Sequence, residues 1–193
     1  VIVIEDGIIS NLGREGDISF SDDTEVIDCS GLMITPGFVD LLCHGGAGHG
    51  FADGSVDSIK TIADYFLSHG STTLLASLFA KPKNELLSDL ERVSKYIISH
   101  PESNIFGIHM EGPYLNKELK GAMNEGYLWT PSKKSWEEMW EASNGMIKIM
   151  TIAPELPGAV EVIREASKKG VVVSIGHSMA KYDEIEVAID NGA

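Results

Sequence analysis

From residue 37 onward, short apolar runs alternate with longer segments whose apolar residues recur every three or four positions. The runs Gly37–Leu42, Thr72–Ser77, Ile105–Met110, Ile147–Ile152 and Val171–Ile175 are nearly all apolar, as strands covered on both faces tend to be, and predict five parallel strands. Between the first two, residues 55–69 place Val56, Ile59, Ile62, Ala63, Phe66 and Leu67 on one helical face, with Ser55 in N-cap position and Gly70 as a stop. Residues 84–99 repeat that pattern with Leu86, Leu87, Leu90, Val93 and Ile97, and Ser135-Trp136-Glu137-Glu138 has capping-box spacing for a short helix. Two further helices are predicted over 157–169 and 181–191, stopped by Gly170 and Gly192.

Five successive βα units fit either an open doubly wound sheet or part of a (β/α)8 TIM-like barrel. The opening 34 residues read differently. Val1–Glu5, the Asp6-Gly7 turn, Ile8–Leu12 and Glu25–Cys29 predict a small β unit, so the chain divides into a β domain over 1–34 and an α/β domain over 35–193.

Composition narrows the partners more than the fold. The net charge of −14, from 15 Lys+Arg against 29 Asp+Glu, repels nucleic acid and anionic membrane surfaces. The same field would repel a phosphorylated small molecule, which would have to be held by locally placed donors. The two cysteines, Cys29 and Cys43, suggest neither a disulfide framework nor a thiolate zinc site, and point to a reducing compartment such as the cytoplasm. No apolar run is long enough to span a bilayer, and the start VIVIEDG lacks the features of a signal peptide.

In either architecture a ligand site gathers at the carboxyl ends of the strands. Those ends read Cys43-His44-Gly45-Gly46, His109-Met110-Glu111-Gly112-Pro113, Ala153-Pro154-Glu155 and Gly176-His177-Ser178. Imidazoles and carboxylates converging from separate strands are the ligand types that hold Zn²⁺ or Fe²⁺ with a position left open for water. Glu111 and His177 form the leading pair; the plainer alternative makes Glu111 a helix cap or a lysine partner and His177 a satisfied core histidine. His109 could orient Glu111 or touch a substrate. His49 could line the mouth of the site or lie solvated, while His69 and His100 read as surface residues. Cys43 reads as an inert thiol, and Trp129, Trp136 and Trp140 read as packing for a helix, with a sugar platform as the alternative.

The strings PGFVD, HGG, IHMEGPYLN, KGA, TIAPE and SIGHS, in that order, resemble the N-acetylglucosamine-6-phosphate deacetylases of the amidohydrolase superfamily, over essentially the whole chain. The resemblance implies a distorted (β/α)8 barrel that holds one divalent metal, zinc or iron, on Glu111 and His177. It implies removal of acetate from a phosphosugar, with the metal activating water and an aspartate acting as general base. Substrate contacts are implied at His109, Gly112, Pro113, Ala122, Met123 and Asn124, and a homodimer for the full-length parent.

The family's third histidine ligand and its aspartate are expected beyond residue 193. No catalytic residue is therefore assigned in this segment, which is expected to be inactive and prone to aggregation by itself. Two positions depart from the family pattern. Leu42 stands where many members carry the first histidine of an H-x-H pair, which leaves His44 as either a ligand or a substrate contact. Met123 replaces a histidine that acts on the sugar, so another N-acyl amino sugar, another amide or an inactive paralogue remain alternatives.

Overall fold

The computed structural model describes residues 1–193, which form two compact units, Val1–Pro36 and Gly37–Ala193. In the first unit, β1 (Ile2–Glu5) and β2 (Ile8–Leu12) pair antiparallel around Asp6 and Gly7. Both turn residues have positive φ, 51° and 76°, the hand that matches the twist of a two-residue hairpin. Residues 25–29, predicted as a strand, form none. Their backbone neighbours close local turns instead, Thr24 N–H to Ser21 O and Leu32 N–H to Cys29 O, and no strand of this unit pairs with them.

The second unit carries, in chain order, β3 (Phe38–Cys43), β4 (Gly45–Gly46), β5 (His49–Gly50), α1 (Val56–Ser68), β6 (Ser71–Phe79) and α2 (Lys83–Ser99). There follow β7 (Ile105–Glu111), α3 (Lys133–Ala142), β8 (Ile147–Ile152), α4 (Ala159–Lys168), β9 (Val172–Ile175) and α5 (Tyr182–Asp190). The main sheet has the order β3-β6-β7-β8-β9 with every pair parallel. Strands adjacent in sequence are thus adjacent in space throughout. That arrangement curls the sheet into a half-barrel and excludes the doubly wound alternative, whose strand order reverses midway.

Ser55 caps α1 as predicted, its hydroxyl accepting from Ser58 N–H at 3.4 Å, and Gly70 with φ of 88° ends the segment. The buried stripe of α1 is narrower than its apolar pattern, because Ile59, Ile62 and Ala63 are buried while Val56 and Leu67 are half exposed. α3 starts three residues earlier than its capping-box spacing suggested. Ser132, not Ser135, is the N-cap and accepts from Ser135 N–H at 3.2 Å, which satisfies one of the donors a helix start leaves unpaired. Trp136 on α3 is buried in the core beside Trp140, with ring centroids 5.8 Å apart, and Trp129 is half buried against the same core.

An ion cluster fastens the loop after β5 to α2. Asp89 is buried between Lys81 Nζ at 2.7 Å and Arg92 Nη2 at 2.6 Å. The two cations reach on to main-chain carbonyls of the loop, Arg92 to Phe51 O at 3.2 Å and Lys81 to Ala52 O at 3.4 Å. No helix is long and apolar enough to cross a membrane.

Candidate active site

The end of β3 is shaped by an interruption in its ladder. Register with β6 is lost between Asp40 and Cys43, and the Ser77 hydroxyl accepts the Cys43 N–H at 2.9 Å in place of a backbone carbonyl. Ser77 O then lies 3.1 Å from His44 Nδ1. Beyond His44 the chain folds into the tight β4–β5 hairpin, with Ala47 and Gly48 both at positive φ. A side chain at Gly45 would place its Cβ 2.1 Å from His49 O, so the hairpin closes only over glycine.

Glu111 ends β7, the middle strand of the sheet, and its carboxylate lies between two imidazoles. His44 Nε2 is 3.0 Å from Oε2, and His177 Nε2 is 3.1 Å from Oε1. His177 follows β9 with φ of 52°, a left-handed conformation that most residues with a Cβ adopt only at a cost. Its Nδ1 is 2.7 Å from Leu119 O.

A carbonyl can only accept, so Nδ1 of each ring donates, to Ser77 O in His44 and to Leu119 O in His177. Nε2 of each ring must then bring a second proton to hydrogen-bond the carboxylate, or else offers a lone pair to a cation. The hydrogen bond to Glu111 holds the His44 pKa above its usual value despite partial burial. The hydrogen bond from His44, helped by that from His177, outweighs burial and holds the Glu111 carboxyl below the usual carboxylate range.

These shifts set a pH window. The contribution of Glu111 is present above the ordinary carboxylate pKa and is lost as pH falls through its depressed folded value. That of His44 is complete below the ordinary histidine pKa and is lost as pH rises through its raised folded value. The stability lost in a His44→Asn variant, measured by urea unfolding of the metal-free full-length protein, should therefore be larger at about pH 6 than at about pH 9. Equal losses at the two pH values would mean that the pair is not ionic.

The other residues singled out in the sequence lie around this trio. His109 is buried, with Nδ1 2.7 Å from Leu41 O and Nε2 2.8 Å from Thr151 Oγ1. It makes no hydrogen bond to Glu111, so it fastens β7 to its neighbours rather than orienting that carboxylate; burial keeps its pKa low. Gly112 and Pro113 are buried and joined by a cis peptide bond. Gly112 N–H donates to Thr151 O and Pro113 O accepts from Trp129 N–H, so both are committed within the fold. Ala122 and Asn124 are exposed and Met123 is half buried, in the loop after β7; the Asn124 side chain accepts from Gly126 N–H at 2.9 Å. Cys43 is buried, and burial raises its thiol pKa.

One residue at a strand end acquires a place that its sequence context did not give it. Glu155, just after β8, accepts from Asn116 Nδ2, Ser178 Oγ and Met179 N–H. Burial pushes its pKa up, and these three hydrogen bonds outweigh that effect and leave it below the usual carboxylate range.

No three His, Cys, Asp or Glu side chains are arranged about a common ion position, because Glu111 contacts both imidazoles directly. The donor chemistry of the trio nonetheless suits a divalent cation. Two Nε2 atoms and a carboxylate face one another, and each ring is oriented by a main-chain carbonyl on its far nitrogen, as metal-bound histidines usually are.

No protein-family model matches the chain. It is similar to the N-acetylglucosamine-6-phosphate deacetylase of Bos taurus, at 32% identity over 171 residues, which covers 86% of this chain and 42% of that protein. It spans less than half the length of such curated relatives. Among solved structures, the corresponding deacetylase from Pasteurella multocida superposes with a TM-score of 0.86 at 30% identity, over 100% of this chain and 50% of that one. The Mycobacterium smegmatis D267A mutant, in complex with N-acetyl-D-glucosamine-6-phosphate, gives a TM-score of 0.78 at 35% identity, over 82% of this chain and 41% of that one.

Proposed function

Since the chain belongs to the N-acetylglucosamine-6-phosphate deacetylase family, we propose that the full-length protein removes the acetyl group from N-acetylglucosamine 6-phosphate with the help of one divalent metal. In this reading the chain supplies one half of a (β/α)8 barrel. The protein acts in the cytoplasm, as a homodimer, and releases acetate and glucosamine 6-phosphate.

The observation that carries the reading is the protonation logic of the trio. His44 and His177 each commit Nδ1 to a main-chain carbonyl and turn Nε2 toward the carboxylate of Glu111. Glu111 and His177 would hold the ion together with a third histidine beyond residue 193, and His44 would join them as a ligand or touch the substrate; the ion would supply Lewis-acid polarisation of the acetamide carbonyl and activation of water. Glu111 balances the positive charge, and the Ser77 and Leu119 carbonyls keep the rings in register with it. His109 and Thr151 lock β7 to β8 next to Glu111. A general-base aspartate is assigned to the part of the protein beyond residue 193. The loop bearing Ala122, Met123 and Asn124 is assigned to the sugar, with Gly112 and Pro113 shaping its root.

The test is acetate release by the full-length protein after metal stripping and reloading with zinc or ferrous iron. Release should depend on the metal. It should be at least about 100-fold more efficient, in kcat/KM, with N-acetylglucosamine 6-phosphate than with N-acetylglucosamine, as the loss of about two charge-assisted hydrogen bonds predicts. Comparable efficiency without the phosphate would mean that Met123 marks a different N-acyl substrate. No release from folded, metal-loaded protein would mean an inactive relative.

A further inference from the structure

We infer that Glu155 is a positioning residue: its carboxylate clamps the loop that follows β9 to the loop that follows β7, and so holds His177 on Glu111. The inference rests on the metal-site reading above and deepens it. Oε1 of Glu155 accepts from Asn116 Nδ2 at 2.9 Å and from Met179 N–H at 2.7 Å, while Oε2 accepts from Ser178 Oγ at 2.7 Å. Ser178 Oγ in turn accepts from Ala180 N–H at 2.9 Å. The two residues that follow His177 are thus both bound to this one side chain.

Asn116 extends the clamp to His177 itself. Its N–H donates to His177 O at 2.9 Å, and its carbonyl accepts from Leu119 N–H at 3.0 Å in the 3-10 turn Lys117–Leu119. Leu119 O is the acceptor that orients the His177 ring. Glu155 therefore governs both the main chain of His177 and, through Asn116, the carbonyl on which its imidazole rests. Such control is needed because φ of 52° is unfavourable for a histidine and persists only where the surroundings impose it. Glu155 is not itself a ligand or a proton carrier. With three donors on its two oxygens it is suited to holding geometry, and it makes no hydrogen bond to His177 or Glu111.

The experiment compares wild type, Glu155→Ala, Glu155→Gln and Asn116→Ala in the full-length protein, by zinc affinity in competition with a chromophoric chelator and by thermal melting. The imidazole NMR signal of His177 in metal-free protein, identified by its absence in His177→Asn, is followed alongside. Glu155→Ala should weaken zinc binding about 10- to 100-fold, the range found when partners of metal ligands are removed, and should shift or broaden the His177 signal. Asn116→Ala should act in the same direction and decides the matter if Glu155→Ala fails to fold. Glu155→Gln should stay within about threefold of wild type, since its oxygen can keep two donors and its amide can donate to Ser178 Oγ.

Wild-type zinc affinity and an unshifted His177 signal in Glu155→Ala would overturn the inference. So would an equal loss in Glu155→Gln, which would make charge rather than geometry the cause. If wild type binds no zinc, the metal-site reading falls, and the His177 signal in metal-free protein still decides whether Glu155 holds the ring.

Discussion

Glu111→Gln in the full-length protein is expected to abolish zinc binding at micromolar concentrations and to lower kcat/KM for acetate release at least about 10³-fold, the factor that several kcal/mol of lost Lewis-acid stabilisation represents. Glutamine keeps the shape of the side chain and one acceptor oxygen, but it removes the only negative charge facing the two Nε2 atoms. Its amide nitrogen would also donate to one Nε2 and occupy the lone pair that an ion needs. The fold should survive, because the hydrogen bonds that fasten β7 to β8 come from its backbone and from His109 rather than from the Glu111 side chain. Isothermal titration with zinc, acetate assays and a thermal melt separate these effects. Retained zinc binding and activity with an unchanged melt would make Glu111 a purely structural partner of the two imidazoles.

Asp89→Ala should be the most destabilising of these single changes. Asp89 is 4% exposed and is the carboxylate shared by Lys81 and Arg92, both largely buried. Removing one member of a buried ion cluster leaves the remaining charges without compensation, a change that costs about 3–5 kcal/mol. Here two cations would be left without their shared carboxylate, and their hold on the carbonyls of Phe51 and Ala52 would loosen. Urea unfolding should show a lower midpoint with an unchanged slope. A double variant in which Arg92 is also replaced by Met should recover part of the loss, since it removes one of the stranded charges. A loss below about 1 kcal/mol for Asp89→Ala would mean that water reaches the cluster and screens it.

The periodicity of the chain was sufficient for most of the half-barrel because each strand and helix there is stabilised on the spot by burial. Ile59, Ile62 and Ala63 on α1, or Leu86, Leu90 and Val93 on α2, face the core at the spacing that marked them. Local pattern is insufficient where a second element decides the outcome. Residues 25–29 carry strand-forming side chains, yet a strand exists only with a partner to complete its ladder, and they have none. Ser135 has the spacing of a cap, but its hydroxyl is engaged by Ser132 and Tyr114.

The site shows the same division. Strand ends brought His44, Glu111 and His177 under suspicion, and topology gathers them, since β3, β7 and β9 are parallel members of one sheet. The part played by Glu155 was not visible, because Asn116 and Ser178 lie 39 and 23 residues away from it and nothing in the sequence specifies the loop paths that bring them in. The commitment of His109 to Leu41 O, 68 residues away, was hidden for the same reason.

The positive φ of His177 narrows what evolution or a designer can place there. Two filters act on the position independently, one on main-chain shape and one on ring chemistry. Asparagine and glycine pass the first and fail the second, valine and isoleucine fail both, and only an imidazole held in a tolerated left-handed turn passes the two together. A histidine moved to the equivalent spot of another parallel sheet would therefore not reproduce the placement of this imidazole unless the surrounding loops travelled with it.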